Sequence, residues 1–111
     1  MNETEFMALA EHTLDRIERQ ADDWSAREDV DLDIEAMRNG NVLNLVFMDG
    51  TTIVVNSQAA VQELWLAASS GGFHYRYMGA DWQDTRGGPS LSEALPHICS
   101  IATGVPLTIK L

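Results

Sequence analysis

Apolar residues recur at helical spacing over residues 3–24. Phe6, Leu9, Ala10, Thr13, Leu14, Ile17, Ala21 and Trp24 fall on one stripe, which predicts an amphipathic helix with a single buried face. Glu11, Asp15, Glu18 and Asp22 step by four, three and four residues and so stack on nearly the opposite face. The period then changes. Asp29-Val-Asp-Leu-Asp-Ile-Glu35 alternates strictly, predicting a strand with Val30, Leu32 and Ile34 on one side and four carboxylates on the other. Asn39-Gly40 and Asp49-Gly50 are two-residue hairpin signals. Residues 42–48 and 51–56 extend the pattern into an antiparallel meander, with residues 36–41 as a loop. Further strands are expected over residues 61–67, 73–78 and 82–86, with turns at 69–72 and 79–81. Pro89 precedes a second helix from Ser90 to about Thr103, opened by the capping box Ser90-x-x-Glu93. Pro96 sits about one turn inside, where it distorts a helix. Gly104 ends that helix, and residues 105–111 form a short apolar tail.

Helix, a long run of strands, then helix is an α+β order. Its economical packing places two helices on one face of a twisted antiparallel β-sheet and leaves the other face solvated. With 111 residues and 45% hydrophobic content, the chain is expected to form one domain over residues 1–111 around one core. No apolar run approaches the roughly 18–20 residues a membrane span needs. The opening Met1-Asn-Glu-Thr-Glu is acidic, unlike a secretory signal or an Arg-rich transit peptide. A single cysteine, Cys99, makes no internal disulfide and fits a reducing, cytoplasmic location.

Charge changes the picture. Twelve of the seventeen Asp and Glu residues lie in the first 35 positions, where Arg16, Arg19 and Arg27 are the only counter-charges, leaving a formal −9. The remaining five acids face four bases, a formal −1. One acidic face on a nearly neutral body repels nucleic acid and anionic lipid, and attracts metal cations or a basic protein surface. Asp22 and Asp23 fall near the C-terminus of the first helix, where the dipole disfavours negative charge. On a strand face, residues i and i+2 are about 6.5–7 Å apart. At that range each carboxylate pair repels by about 0.6 kcal/mol in bulk water, and by about 2 kcal/mol at an effective dielectric near 20. A solvated face is the ordinary meaning of an acidic run, but this density and helix-end placement favour a surface that a cation or basic partner relieves.

Asp29, Asp31 and Asp33 superficially match the start of a calcium loop. Ile34 stands where that loop needs Gly, however, and Gly40 where it needs Glu, which excludes an EF-hand. No Cys-x-x-Cys or His-x-x-x-His spacing exists, so zinc and iron–sulfur ligand sets are not indicated. Open carboxylates suit hard ions such as iron(III), manganese, calcium or magnesium, held weakly and at several places. Enzyme signatures are poor: His12, His74 and His97 are scattered, and no nucleophile elbow or phosphate-cradling loop is present. Cys99 sits among apolar residues and reads as a buried, inert thiol. Trp24 ends the apolar stripe and belongs to the core, while Trp82 is core or rim. Trp65 shares a strand face with Val61, Glu63 and Ala67, opposite Leu64 and Leu66. On the open side of the sheet it is either a binding anchor or a ring covered by its neighbours.

These residues together resemble one family. The opening Met-Asn-x-x-Glu-Phe with Leu9-Ala10, Ile17-Glu18, Asp22-Asp23-Trp24, the run Asp29-x-Asp31-x-Asp33, Asn56-x-Gln58, Trp65-Leu66-Ala67, Ser70-Gly71-Gly72-Phe73-His74 and Asp81-Trp82 are similar to bacterial frataxin, the CyaY type, over essentially the whole chain. The resemblance implies the frataxin fold and a role in iron–sulfur cluster assembly through weak binding of ferrous and ferric iron. Carried across position by position, the acidic ridge that binds iron and docks on a cysteine desulfurase is Glu18, Asp22, Asp23, Asp29, Asp31 and Asp33. The sheet face linked to the desulfurase–scaffold assembly is Asn56, Gln58 and Trp65. The chain departs from the family at Arg19, where a second ridge acid is common, and at Ser25 and Arg27, which interrupt the helix–strand turn. It also carries Ala60 for a frequent Pro, Glu63 for a frequent Gln, and a long loop at residues 36–41.

Two functional readings follow. In the first, the chain is an iron-binding regulator or supplier of cluster assembly rather than an enzyme, a monomer for which iron-dependent oligomerisation stays open. In the second, it is an acidic interaction module that docks a basic partner, with metal binding incidental. An iron oxidase is a minor third, because no preformed di-iron motif is present.

Overall fold

The computed structural model describes residues 1–111. Helix α1 spans Glu3–Ser25, and six strands follow: β1 Glu35–Asn39, β2 Val42–Val46, β3 Thr52–Gln58, β4 Glu63–Ala68, β5 Gly71–Met78 and β6 Asp81–Asp84. Helix α2, Leu91–Thr103, comes last. The strands form one sheet in the order β1-β2-β3-β4-β5-β6, every pair antiparallel. This is the α+β architecture expected from the sequence, a pure meander with both helices on one face. Neither helix is long and apolar enough to cross a membrane.

The helix α1 stripe is buried as its spacing requires: Phe6, Ala10, Thr13, Leu14, Ile17, Ala21 and Trp24 all face inward, and Leu9 packs half-buried against the same core. Opposite them lie Leu43 and Leu45 of β2, Ile53 and Val55 of β3, Leu64 and Leu66 of β4, and Tyr75 of β5. Helix α2 adds Leu91, Leu95 and Cys99. Trp82 is core rather than rim, 1% exposed. Its indole N–H donates to Thr13 Oγ1 at 3.1 Å, and its ring meets Phe6 and Tyr77 edge-on. The polar atom of a buried tryptophan is thus satisfied by the one hydroxyl on the helix stripe.

Several local expectations are corrected. Residues 29–34 form no strand: 29 and 30 lie in a bend, 31–34 are irregular, and β1 begins only at Glu35. Their alternation is nonetheless real, since Leu32 and Ile34 are buried while Asp29, Asp31 and Asp33 are exposed. Burial alone produces a period of two without a hydrogen-bonded ladder. The expected loop at residues 36–41 is instead most of β1, which closes on β2 through the pair Asn39↔Val42. The turn is therefore Gly40-Asn41, one residue later than the Asn39-Gly40 signal. Gly40, at φ +59°, takes the left-handed backbone that a tight hairpin needs at its first central position. The Asp49-Gly50 turn is longer than two residues, closing from Phe47 to Thr51.

The helix caps also differ. Ser90 makes no side-chain cap bond, and Ser92 Oγ instead donates to Asp81 Oδ1 at 2.8 Å. A complete capping box stands at the other helix, where Asn2 Oδ1 accepts from the Glu5 N–H and Glu5 Oε1 accepts from the Asn2 N–H. Pro96 lies inside a continuous α2. The tail is held to α1. Leu107 and Ile109 are buried in the core, and Gln20 binds the Lys110 backbone at both ends of its amide, at 2.7 and 2.8 Å. Arg16 Nε donates to the same carbonyl.

Two measurements check this packing. Leu107→Ala should cost about 2–5 kcal/mol in chemical denaturation, the usual range for truncating a buried leucine. Burial pushes the Cys99 thiol up to about 12, and burial, followed by the charge of Asp84, pushes the Tyr75 phenol up to about 12. Both groups keep their protons in the folded chain where the unfolded chain sheds them, so the folded state binds more protons above about pH 9. The contribution of these two groups should therefore be level up to that point and fall as pH rises beyond it, with Cys99→Ala and Tyr75→Phe flattening the fall.

Candidate functional site

Two surfaces carry the chemistry. The first is the acidic end of α1. Its last turn contains no basic residue, and Asp22 and Asp23 stand exposed there. The chain then bends back because Ser25 clips it: Ser25 Oγ donates to the Ile34 carbonyl at 2.9 Å and accepts from the Ile34 N–H at 3.2 Å. That clip ties the end of α1 to the end of the acidic segment, so residues 26–33 form a loop beside the helix terminus. Leu32 and Ile34 anchor the loop inward, which turns Asp31 and Asp33 out to solvent.

Of the ridge residues, Glu18 is half-buried and the five aspartates are exposed. Only Asp29 is matched by an arginine of the chain. Arg27 Nη2 lies 2.6 Å from Asp29 Oδ2 and Arg27 Nε 3.0 Å from Oδ1. This hydrogen-bonded pair holds the Asp29 carboxyl below its ordinary range. Asp15, on the same helix but outside the ridge, is taken by Arg38 at 2.7 Å. Glu18, Asp22, Asp23, Asp31 and Asp33 make no ion pair. Arg27 thus does more than interrupt the turn: it neutralises one ridge member.

Nowhere do three or more Asp, Glu, His or Cys side chains converge as a cage for an ion. The donor set is open, oxygen-only and spread along a surface, which fits hard cations held weakly at several places. Asp31 and Asp33 do share a groove of about 300 Å³ with Asp49, Met48, Ala102 and Thr103. Asp49 was not singled out from the sequence, because the β2–β3 turn explained it. Its carboxylate accepts from the Thr51 N–H at 2.8 Å, and hydrogen bonding from Thr51, its side chain foremost and its backbone second, lowers its pKa.

The second surface is the uncovered face of the sheet. The register places Asn56, Trp65 and His74 side by side across β3, β4 and β5, and Gln58, Glu63 and Arg76 in the next row. Gln58 Nε2 donates to Asn56 Oδ1 at 2.7 Å. Trp65 is half-buried, in keeping with a ring covered by its neighbours. One face of its ring is covered by His74, with ring centroids 4.3 Å apart and planes 9° from parallel. Its edge is held by Glu63, whose Oε1 accepts the indole N–H at 2.9 Å. The sequence placed Glu63 on this open side, but the structure leaves it only 8% exposed. Arg76 and the contact between Trp65 and His74 were missed. The expected turn at 69–72 is only Ser69-Ser70, because Gly71 and Gly72 belong to β5, and that shorter turn sets the register that pairs Trp65 with His74.

Residues 1–105 match the family model of the frataxin-like domain. The chain is similar, at 65% identity over 111 residues and the full length of both, to the iron-sulfur cluster assembly protein CyaY of Bordetella avium. It is 49% identical over 110 residues to the protein of the same name from Cupriavidus metallidurans, covering 99% of this chain and 97% of that one. Among solved structures, the frataxin of Psychromonas ingrahamii superposes over the full length of both chains with a TM-score of 0.86 at 27% identity. A trimeric yeast frataxin complexed with ferrous iron shares the fold, with a TM-score of 0.72 at 24% identity over 86% of this chain and 85% of that one. A match over nearly every residue, relatives this similar end to end, and a common helix–meander–helix architecture lead to one conclusion: the chain belongs to the frataxin family.

Proposed function

We propose that this protein serves iron–sulfur cluster assembly in the cytoplasm, binding iron weakly on its acidic ridge and acting on a cysteine desulfurase–scaffold complex without being an enzyme itself. The coarse role rests on full-length relatives that are named for cluster assembly. The observation that carries the finer reading is the clipped junction of α1 and residues 26–33, where Asp22, Asp23, Asp31 and Asp33 are exposed and make no ion pair. Carboxylates left without counter-charge at a helix C-terminus raise the energy of the free protein. A cation or a basic surface lowers it again. Iron is cargo in this reading: oxygen ligands that are neither enclosed nor preorganised favour exchange over storage. The desulfurase would meet the same ridge through basic residues, while Asn56, Gln58 and Trp65 on the sheet face contact the assembly.

Arg27 refines which acids do this work. Asp29 spends its charge on Arg27 at neutral pH, and the pair is lost only as pH falls through the depressed carboxyl pKa. Asp31→Asn with Asp33→Asn should raise the melting temperature in low-salt, metal-free buffer by about 2–4 °C, and should weaken both iron and desulfurase binding. Asp29→Asn alone should bring no such gain, because it removes an attraction together with a repulsion. Differential scanning calorimetry and titration of ferrous iron and desulfurase check both outcomes. Unchanged affinities in the double variant would remove the ridge from the mechanism.

The second reading, a docking module with incidental metal binding, is favoured by the lack of any convergent ligand set. Following the backbone amides of residues 18–33 by NMR during an iron titration separates the two. Ridge signals that stay still at millimolar iron, while the desulfurase still binds, would establish the docking module.

A further inference from the structure

We infer that Glu63 is the positioning residue of the sheet face: it fixes the Trp65 ring in one orientation before any partner arrives. This rests on the reading above that the sheet face contacts the assembly. Glu63 is a carboxylate 8% exposed on a surface that no helix covers, a placement that is costly unless both oxygens are used. Both are. Oε1 accepts the Trp65 indole N–H at 2.9 Å, and Oε2 accepts from Arg76 Nη2 at 2.9 Å. His74 Nδ1 lies 3.5 Å from Oε1.

The strand register makes this arrangement specific. Glu63 faces Arg76 directly across β4 and β5, and Trp65 faces His74 two residues on. One carboxylate therefore reaches along its own strand to the indole edge and across the ladder to the guanidinium. The indole, held at its edge, lies flat on the imidazole at 4.3 Å. Without that hold, a half-exposed Trp rotates among several χ1 and χ2 wells, and binding must then freeze it. Glu63 moves that entropy loss into folding. It also sets what the surface offers: the indole N–H is already used, so a partner meets the ring face and the exposed His74 and Arg76 rather than a hydrogen-bond donor on Trp65.

The test uses the full chain with Glu63→Ala, Glu63→Gln and Trp65→Ala. In ¹H–¹⁵N spectra, the Trp65 indole signal is the one missing in Trp65→Ala. In Glu63→Ala it should move upfield and lose protection from hydrogen exchange, and affinity for the desulfurase–scaffold complex should fall about two- to tenfold, the cost of immobilising one side chain. Glu63→Gln keeps an acceptor but not the charge, and should fall between wild type and Ala in both readouts. Iron binding at the ridge should be unchanged throughout. An indole signal that does not move in Glu63→Ala overturns the proposal, as does one that moves without any loss of affinity while Trp65→Ala loses binding. If Trp65→Ala binds the complex as tightly as wild type, the sheet-face reading itself falls, and the positioning role for docking falls with it.

Discussion

A sheet covered on one face imposes a single constraint on every strand: alternate residues must be apolar enough to bury and polar enough to face water. Everything else in this fold follows from how that division is met. On the helix side the solution is hydrophobic and nearly complete, from Phe6 through Leu43, Ile53 and Leu64 to Trp82. The few polar atoms there are matched, as in the bond between Trp82 and Thr13, with the Tyr75 hydroxyl left without a partner. On the other side the same strands cannot rely on burial, and they use paired side chains across the ladder, of which Glu63, Trp65, His74 and Arg76 are the most connected.

The acidic segment answers the same constraint without a ladder. Residues 31–34 have no strand partner, so only Leu32 and Ile34, with the Ser25 clip, keep them against the body. Their backbone is held at a few points and their carboxylates are thrown outward. Hydrogen-bonded strands would fix the spacing between these groups; here no ladder does. The missing ladder accords with a carboxylate set that nowhere converges as a cage.

Much of this was legible in the chain. The helix stripe, the meander, the one-sided packing and the burial of Cys99 and Trp24 were read from periodicity, because burial is what writes periodicity into a sequence. The errors came where another force wrote the same signal. Residues 29–34 alternate because two apolar side chains dock, not because strands pair. Strand β1, Glu-Ala-Met-Arg-Asn, has an exposed–half-buried pattern and little apolar contrast, so its existence depends on β2 and could not be seen locally. Ser90-x-x-Glu93 has the letters of a capping box, yet Ser90 makes no cap bond and the neighbouring Ser92 is engaged by Asp81. At the sites, exposed acids were visible as composition. The Arg27–Asp29 pair and the network around Glu63 needed the chain's three-dimensional path.

The strap of residues 107–110 along α1 has a temporal meaning. Gln20 is bonded at both ends of its amide to Lys110, ninety positions later, and Leu107 and Ile109 complete a core begun at Phe6. During vectorial synthesis the amino-terminal helix is made first and must wait for these closing residues, since the hydrophobic seam it lines stays open until they leave the ribosome. Until then the nascent chain carries an unsealed greasy slot beside its most negatively charged stretch. Mutual repulsion among those acids would discourage neighbouring unfinished chains from sticking together.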